Sequence, residues 1–178
     1  NGIPLRDVAI EGEYKKKKIK INKYFSKINE GDLIIIGNIA LAPELKIDLN
    51  GRFNNISVTT ILNQSQKIKW KRLNIKIKSD FTINSEGKND SELINNLNAN
   101  IPLTGLFYLN ATQEERFGTA LLKLLSEKIP EINNISKSLD FILTNYADIP
   151  SRIGGLVTIE NGILKTKDLH ISNNDAKM

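Results

Sequence analysis

The dipeptide Asn161-Gly162 constrains the fold more than any other feature of this chain, because it separates two segments of alternating apolar and polar residues. Asparagine and glycine both accept the positive φ angles of a type I′ turn, the turn that joins two adjacent antiparallel strands. The flanking segments cover residues 155–160 and 163–171. The sequence therefore predicts a β-hairpin at this point.

The second arm of this hairpin does not keep its apolar residues on one face. With a two-residue turn, Ile159 lies opposite Leu164, whereas Leu169 falls on the other face. A slip of one residue moves every later side chain to the opposite face. Either a bulge lies between Lys165 and Asp168, or both faces of the hairpin are partly covered.

Alternation with a period of two recurs along most of the chain and predicts further strands. It covers Ile19 and Ile21, residues 33–41, residues 45–49 and residues 101–111. Because successive strands are joined by short connections, we expect antiparallel pairing.

The run at residues 68–78 changes the side on which its apolar residues fall. They occupy even positions up to Trp70 and odd positions from Leu73. Such a switch predicts a β-bulge near Lys71-Arg72.

Two short helices are expected at residues 54–62 and 91–97, where the apolar spacing becomes helical. Each segment begins with polar residues suited to the N-cap. The candidates are Asn55 or Ser57 for the first helix and Asp90 or Ser91 for the second.

Two longer amphipathic helices are predicted at residues 114–128 and 136–146, each followed by a proline. The predicted fold is therefore mainly β, of the α+β class, with a helical pair before a C-terminal hairpin. We divide the chain into residues 1–89, an antiparallel β segment with one short helix, and residues 90–178, the C-terminal region that contains the helical pair and the hairpin. We expect the two segments to form one continuous domain. Because the sequence begins at Asn1 and ends as a polar turn opens, we expect a fragment of a longer protein.

The amino-acid composition excludes several classes of function. The chain has no cysteine, which excludes disulfides, thiolate metal sites and a cysteine nucleophile. His170 is its only histidine and lies on a predicted strand, so a surface position is favoured over a metal ligand. Asp140 with Asp148, or Glu114 with Glu115, could form an acid–base pair, but positions on a helix surface are favoured for them. No nucleophile elbow or phosphate loop is found, so we expect neither an enzyme nor a bound cofactor.

The run of four lysines from Lys15 to Lys18 has two interpretations. It could contact phosphates or lipid headgroups. The favoured interpretation is a solvated strand edge, where lysines discourage aggregation between sheets. No interleaved aromatic residues or glycine loop accompany the run, so we expect no nucleic-acid partner. The net charge of +5 decides little, because isoleucine, lysine and asparagine are all abundant here and all have A/T-rich codons.

The final third of the chain resembles the C-terminal region of the AsmA-like family, the bacterial envelope proteins that include AsmA, TamB and YhdP. The resemblance lies in the order of elements: a strand at residues 101–111, two helices, then the hairpin whose sequence runs Gly-Leu-Val-Thr-Ile-Glu-Asn-Gly-Ile-Leu-Lys-Thr-Lys-Asp-Leu. It covers roughly residues 90–172, and residues 45–62 fit it more loosely.

This resemblance implies an antiparallel sheet curled into a groove that shields phospholipid acyl chains in the periplasm, supporting lipid transport and outer-membrane assembly. It also implies a tether to the inner membrane outside this sequence. The candidate groove-lining residues are Ile47, Leu49, Ile75, Ile77, Phe107 and Leu109.

A scaffold or protein-interaction module of the cell envelope without lipid cargo is the alternative. An apolar sheet face left open over several strands favours lipid, whereas a fully covered face favours the scaffold. An enzyme is the third and least favoured reading.

Overall fold

Eight strands form one antiparallel sheet in which each strand pairs with the next along the chain. The structure is a computed structural model that describes residues 4–65, 72–130 and 133–178. The sheet is curled but not closed into a barrel, which confirms the fold predicted from the alternation and the resemblance. The strands are β1 (Leu5–Lys15), β2 (Lys18–Ile28), β3 (Gly31–Ala40), β4 (Leu45–Ser57), β5 (Leu73–Gly87), β6 (Asn98–Leu109), β7 (Ser151–Glu160) and β8 (Ile163–Ser172).

Neighbouring strands place their apolar side chains opposite one another, so the sheet has one apolar face. Leu49 in β4, for example, lies opposite Gly37 of β3 and Ile83 of β5. In β6, Phe107 lies opposite Ile75. The apolar face defined by these registers includes Ile19, Ile21, Tyr24, Leu33, Ile35, Ile39, Leu45, Ile47, Leu49, Phe53, Leu73, Ile75, Ile77, Phe81, Ile83, Ala99, Ile101, Leu103, Phe107, Leu109, Ile153, Val157 and Ile159.

The opposite side of the sheet is the polar face. One row across five strands illustrates it: Lys20, Asn38, Asp48, Asn84 and Asn98 lie opposite one another in turn. The two faces therefore follow directly from the period of two in the sequence.

Two short helices lie at the ends of β5. The helix α1 (Val58–Ser65) precedes β5, and Ser57 is its cap, since the Ser57 hydroxyl accepts a hydrogen bond from the Thr60 amide at 3.2 Å. The helix α2 (Asp90–Asn95) follows β5. The expected caps of this second helix, Asp90 or Ser91, were wrong.

Asn89 caps α2 instead, because its side-chain oxygen accepts a hydrogen bond from the Glu92 amide at 3.0 Å. Three consecutive residues, Asn89, Asp90 and Ser91, all have side chains suited to an N-cap. The sequence alone does not select among them. The extended backbone of Asn89 (φ −148°, ψ 170°) selects it.

The predicted helical pair is present between β6 and β7 as α3 (Gln113–Ser126) and α4 (Asn133–Tyr146). Thr112 caps α3 in a capping box: its hydroxyl accepts from the Glu115 amide, and the Glu115 carboxylate accepts from the Thr112 amide at 3.0 Å. The hydrogen bond from the Thr112 amide to the Glu115 carboxylate is the main reason that the pKa of Glu115 lies below its usual value.

The hairpin predicted from Asn161-Gly162 is confirmed. Both residues have positive φ (52° and 75°), and Glu160 pairs with Ile163 across the turn. The register shifts where Gly155 faces the segment between Lys167 and His170, so the bulge lies at residues 168–169, at the end of the predicted interval. This resolves the earlier inconsistency, because the bulge returns the later apolar residues of β8 to the apolar face.

Gly162→Ala is expected to destabilise the protein by about 1–2 kcal/mol, because alanine is strained at a φ of 75° and glycine is not. A Cβ atom on Gly162 would lie 2.5 Å from the backbone oxygen of Ile94, so α2 leaves no space for a side chain at this position. Urea unfolding followed by circular dichroism measures the change. Lys165→Ala in the exposed arm of β8 is the control, and an equal effect of both substitutions would contradict the role assigned to the turn.

The strand β1 was not predicted, and the ends of several other strands were misplaced. Alternation at Val8, Ile10 and Tyr14 is a signal that would have found β1. The strand β4 continues to Ser57 through a register shift after Phe53. The bulge predicted near Lys71-Arg72 concerns residues 68–71, which lie outside the described residues.

Candidate functional site

The apolar face is the most extensive unusual surface of the described structure, because no second layer covers it there. Along β4, exposed polar residues alternate with half-buried apolar ones rather than with fully buried ones. In the described residues, the buried apolar side chains of this face are those of Ile56, Phe81, Ala99 and Phe107. A closed sandwich of this size would bury most of the inward side chains.

Exposure of the apolar face rises towards the two outer strands. Ile10 in β1 is 67% exposed, and Leu164 in β8 is 65% exposed. Both lie in register with the apolar residues of the neighbouring strand, Tyr24 and Ile159. The apolar face therefore continues to both edges of the sheet as surface open to water.

The helices cover only the ends of this face. In the described residues, α1 and α2 pack against β5, whereas α3 and α4 pack mainly against each other. The C-terminal end of α4 reaches the sheet through Tyr146, which is fully buried and meets Phe107 edge to face at a ring-centroid distance of 6.4 Å. The groove that the apolar face forms is therefore closed off at this end, partly covered by α2 at the other end, and open along its length between them.

Large side chains fill the floor of the groove by lying over small neighbours. The Phe81 ring lies over Gly51, where a Cβ atom would come within 2.3 Å of Cζ. Phe53 adds a second ring 5.9 Å from that of Phe81. The floor is thus a continuous apolar surface rather than a series of separate pockets.

All six residues predicted to line the groove lie on the apolar face, but in two groups. Ile75 and Phe107 are opposite each other, and Ile77 and Leu109 lie beside them near the helical end. Ile47 and Leu49 lie in the other half of the sheet, opposite Ser85 and Ile83. Phe107 is only 8% exposed, so it belongs to the floor under Tyr146.

Sequence reasoning did not select other residues that share this face, including Ile35, Ile101 and Val157. Ile101 and Val157 pair across β6 and β7, and Ile35 lies opposite Gly51 and Tyr24. Extending the same parity rule to every strand would have found them. The alternation in these strands was visible in the sequence, but the prediction did not apply it to every strand.

The four lysines predicted as a weak headgroup contact form the exposed turn between β1 and β2. Lys16 and Lys17 have positive φ (49° and 60°), and the Lys17 carbonyl accepts a hydrogen bond from the Leu41 amide at 2.8 Å. Lys15 and Lys18 pair at the ends of the two strands. The turn lies at the end of the sheet opposite α1, α3 and α4.

Ion pairs connect adjacent strands on the polar face. Lys46 contacts Glu86 at 3.0 Å, and Arg52 contacts Asp80 at 2.5 Å. Such exposed pairs contribute little to stability, about 0–1 kcal/mol each. Their effect is to keep this side of the sheet hydrated.

The described ranges contain no cluster of side chains suited to a metal ion. No group of three or more His, Asp or Glu side chains there could hold a metal ion. Within the same ranges, no helix is both long and apolar enough to cross a membrane. The apolar face can bind an apolar ligand and shield it from water, and the polar face presents charged side chains on the opposite side of the sheet.

Comparison of the chain with family models, curated proteins and solved structures finds no match.

Proposed function

We propose that this chain shields the acyl chains of phospholipids in the groove formed by its apolar face, as a segment of an AsmA-like protein. The single observation that carries the proposal is the open apolar face, which continues across all eight strands without a covering layer in the described residues. Exposed apolar surface of this extent marks a binding surface in soluble proteins. The resemblance of residues 90–172 to the AsmA-like family is the reason for proposing phospholipid as the ligand and the bacterial envelope as the location.

The energetic argument favours an acyl chain as the ligand. Exposing an acyl chain to water costs about 0.8 kcal/mol per CH₂, or roughly 12 kcal/mol for a chain of palmitoyl length. A continuous apolar floor removes much of this cost without any chemistry. The half-buried side chains of β4 and β5 lose water-exposed area when an acyl chain lies on them, so both partners benefit.

The dimensions of the sheet fit this ligand. Eight strands at a spacing of about 4.8 Å span roughly 34 Å across the sheet. One leaflet of a bilayer has a hydrocarbon thickness of about 15 Å, half that of the whole core. The apolar face is therefore long enough to hold an extended acyl chain in either direction.

The resemblance extends the proposal to a periplasmic location, with a tether to the inner membrane. On this proposal the chain is not an enzyme and needs no cofactor, because shielding is a matter of surface alone. The exposed polar face and its ion pairs keep the protein in solution while the other side carries lipid.

Native mass spectrometry of the purified protein tests the proposal. We expect mass additions that correspond to phospholipid, and extraction of a fluorescent phospholipid from vesicles. Protein that is consistently free of lipid and also fails to extract the fluorescent phospholipid would contradict the proposal.

One observation favours the alternative, a scaffold that docks a protein partner. The helices α3 and α4 expose large apolar side chains, among them Phe117 (72%), Leu124 (64%) and Ile135 (60%). A scaffold would use this surface and leave the groove empty. The lipid measurements above separate the two functions, because a scaffold predicts neither mass additions nor extraction.

A further inference from the structure

A recess of about 850 Å³ lies on the polar face, on the side of the sheet away from the groove. It extends from the end of β4 across β5, β6 and β7 to β8. A volume of this size is typical of small-molecule sites. The recess does not belong to the proposed acyl-chain groove, because the sheet separates the two.

Two rows of side chains on adjacent strands form the recess. In the first row, Lys76 lies opposite Leu106, which lies opposite Arg152. The positive groups of this row therefore stand two strands apart, about 10 Å between their backbones, with an apolar residue between them. Both side chains are long enough to converge on one ligand.

The second row has small residues at its centre. Lys78 lies opposite Thr104, Thr104 opposite Gly154, and Gly154 opposite His170. Because Thr104 and Gly154 are small, the floor of the recess is open between the side chains of Lys78 and His170. The Thr104 hydroxyl adds a donor at this floor.

The charge of the recess is positive, because no carboxylate is among its lining residues. Lys76 is already compensated by Glu30, whose carboxylate it contacts at 2.6 Å and whose pKa it thereby holds below the usual value. Lys78 and Arg152 form no ion pair with any residue that the structure describes. These two cations are available to a ligand.

His170 is held in a defined orientation at the edge of the recess. Its Nδ1 lies 2.7 Å from the backbone oxygen of Asp168, and since a carbonyl only accepts, Nδ1 carries the proton. The opposite edge of the ring lies over Gly154, where a Cβ atom would come within 3.2 Å of Nε2. A side chain at position 154 would therefore push the imidazole aside by a few tenths of an ångström.

We propose that this recess binds a phosphate group carried by a small organic molecule. The guanidinium of Arg152 and the ammonium of Lys78 match phosphate oxygens, which prefer charge-assisted and bidentate donors. The remaining volume and the Leu106 side chain accommodate the organic part of the ligand. This inference does not depend on the acyl-chain function, which uses the opposite face.

The single histidine makes the test direct, because the imidazole Cε1–H of His170 gives one isolated NMR signal for the site. We would titrate the whole chain with glycerol 3-phosphate at constant pH and ionic strength, and with chloride as the blank. The expected result is a saturable shift of this signal, with a dissociation constant on the order of 1 mM. A linear, non-saturating drift would exclude a free metabolite as the ligand, and it would overturn the proposal if vesicles that contain phosphatidic acid also failed to bind.

Lys78→Gln and Arg152→Gln are each expected to weaken binding about tenfold, as the loss of a charge-assisted hydrogen bond implies. Lys20→Gln is the matched control, since it removes the same charge from an exposed position of the polar face outside the recess. All three positions are exposed, and circular dichroism verifies that each variant folds. An equal loss of affinity in the Lys20 variant would show diffuse attraction and would overturn the site.

The same phosphate chemistry could come from a free metabolite or from a lipid headgroup. Co-sedimentation with phosphatidylcholine vesicles, with and without phosphatidic acid, distinguishes them. Binding of glycerol 3-phosphate but not of vesicles supports a free ligand, and binding only of vesicles with phosphatidic acid supports a headgroup, provided that Arg152→Gln abolishes it. Binding of neither overturns the proposal, whatever the lipid content of the groove.

Discussion

Leu49→Lys is expected to lower the phospholipid retained by the purified protein by about tenfold or more. Leu49 lies in the middle of the apolar face, between Gly37 and Ile83 on the neighbouring strands. A lysine there brings an ammonium group into the path of the acyl chain, and removing that charge from water without a partner costs several kcal/mol. Quantifying bound phospholipid by mass spectrometry after an identical purification measures the effect.

Asn50→Lys is the matched control for this variant. It introduces the same side chain one residue away, but on the polar face, where Asn50 is exposed opposite Thr82. Lipid retention should stay within about twofold of the unsubstituted protein, because the groove is untouched. Leu49 is half-buried, so the lysine can direct its charge to solvent in the lipid-free protein and the fold should persist. Equal lipid loss in both variants would contradict the proposal that the apolar face binds the lipid.

The strands were predictable because alternation is a local property. Each residue such as Ile47 or Ile75 reports the face of its own strand, and an antiparallel meander joins those faces without any long-range information. The turn at Asn161-Gly162 was predictable for the same reason, since its backbone requirement is met by two adjacent residues.

The openness of the groove was not predictable from these patterns. The same alternation in β4 would occur in a closed sandwich, and only the third dimension decides whether a second layer covers Leu49. The amphipathic spacing of α3 predicted a packed helix face in the usual way. In the structure, Phe117 and Leu124 on that helix are exposed instead.

The recess that we propose to bind phosphate could not have been predicted from the sequence either. Lys78 and His170 lie far apart in the sequence, and they reach one recess only because β5, β6, β7 and β8 pair in one register. His170 was correctly placed on a strand and given no ligand role. The cluster becomes visible only when the residues are read across strands instead of along them.

Tyr146→Ala is expected to destabilise the protein by about 3–5 kcal/mol, the largest effect on stability that we expect from a single substitution here. Tyr146 is fully buried at the junction of α4 and the sheet. Its ring meets those of Phe107 and Phe141 at centroid distances of 6.4 and 6.0 Å. Removing it leaves a cavity between the helical pair and the closed end of the groove, which urea unfolding would report as a lower midpoint.

Tyr146→Phe separates the ring from the hydroxyl. The hydroxyl donates to the Ile171 carbonyl at 3.1 Å, but that oxygen also accepts a hydrogen bond from the Met178 amide at 2.9 Å. Since the carbonyl stays satisfied, losing the hydroxyl should cost only about 1 kcal/mol. Phe117→Ala removes an aromatic ring that is 72% exposed and should change stability by less than about 0.5 kcal/mol. If Tyr146→Ala cost no more than Phe117→Ala, the helical pair would not be anchored to the sheet through this ring.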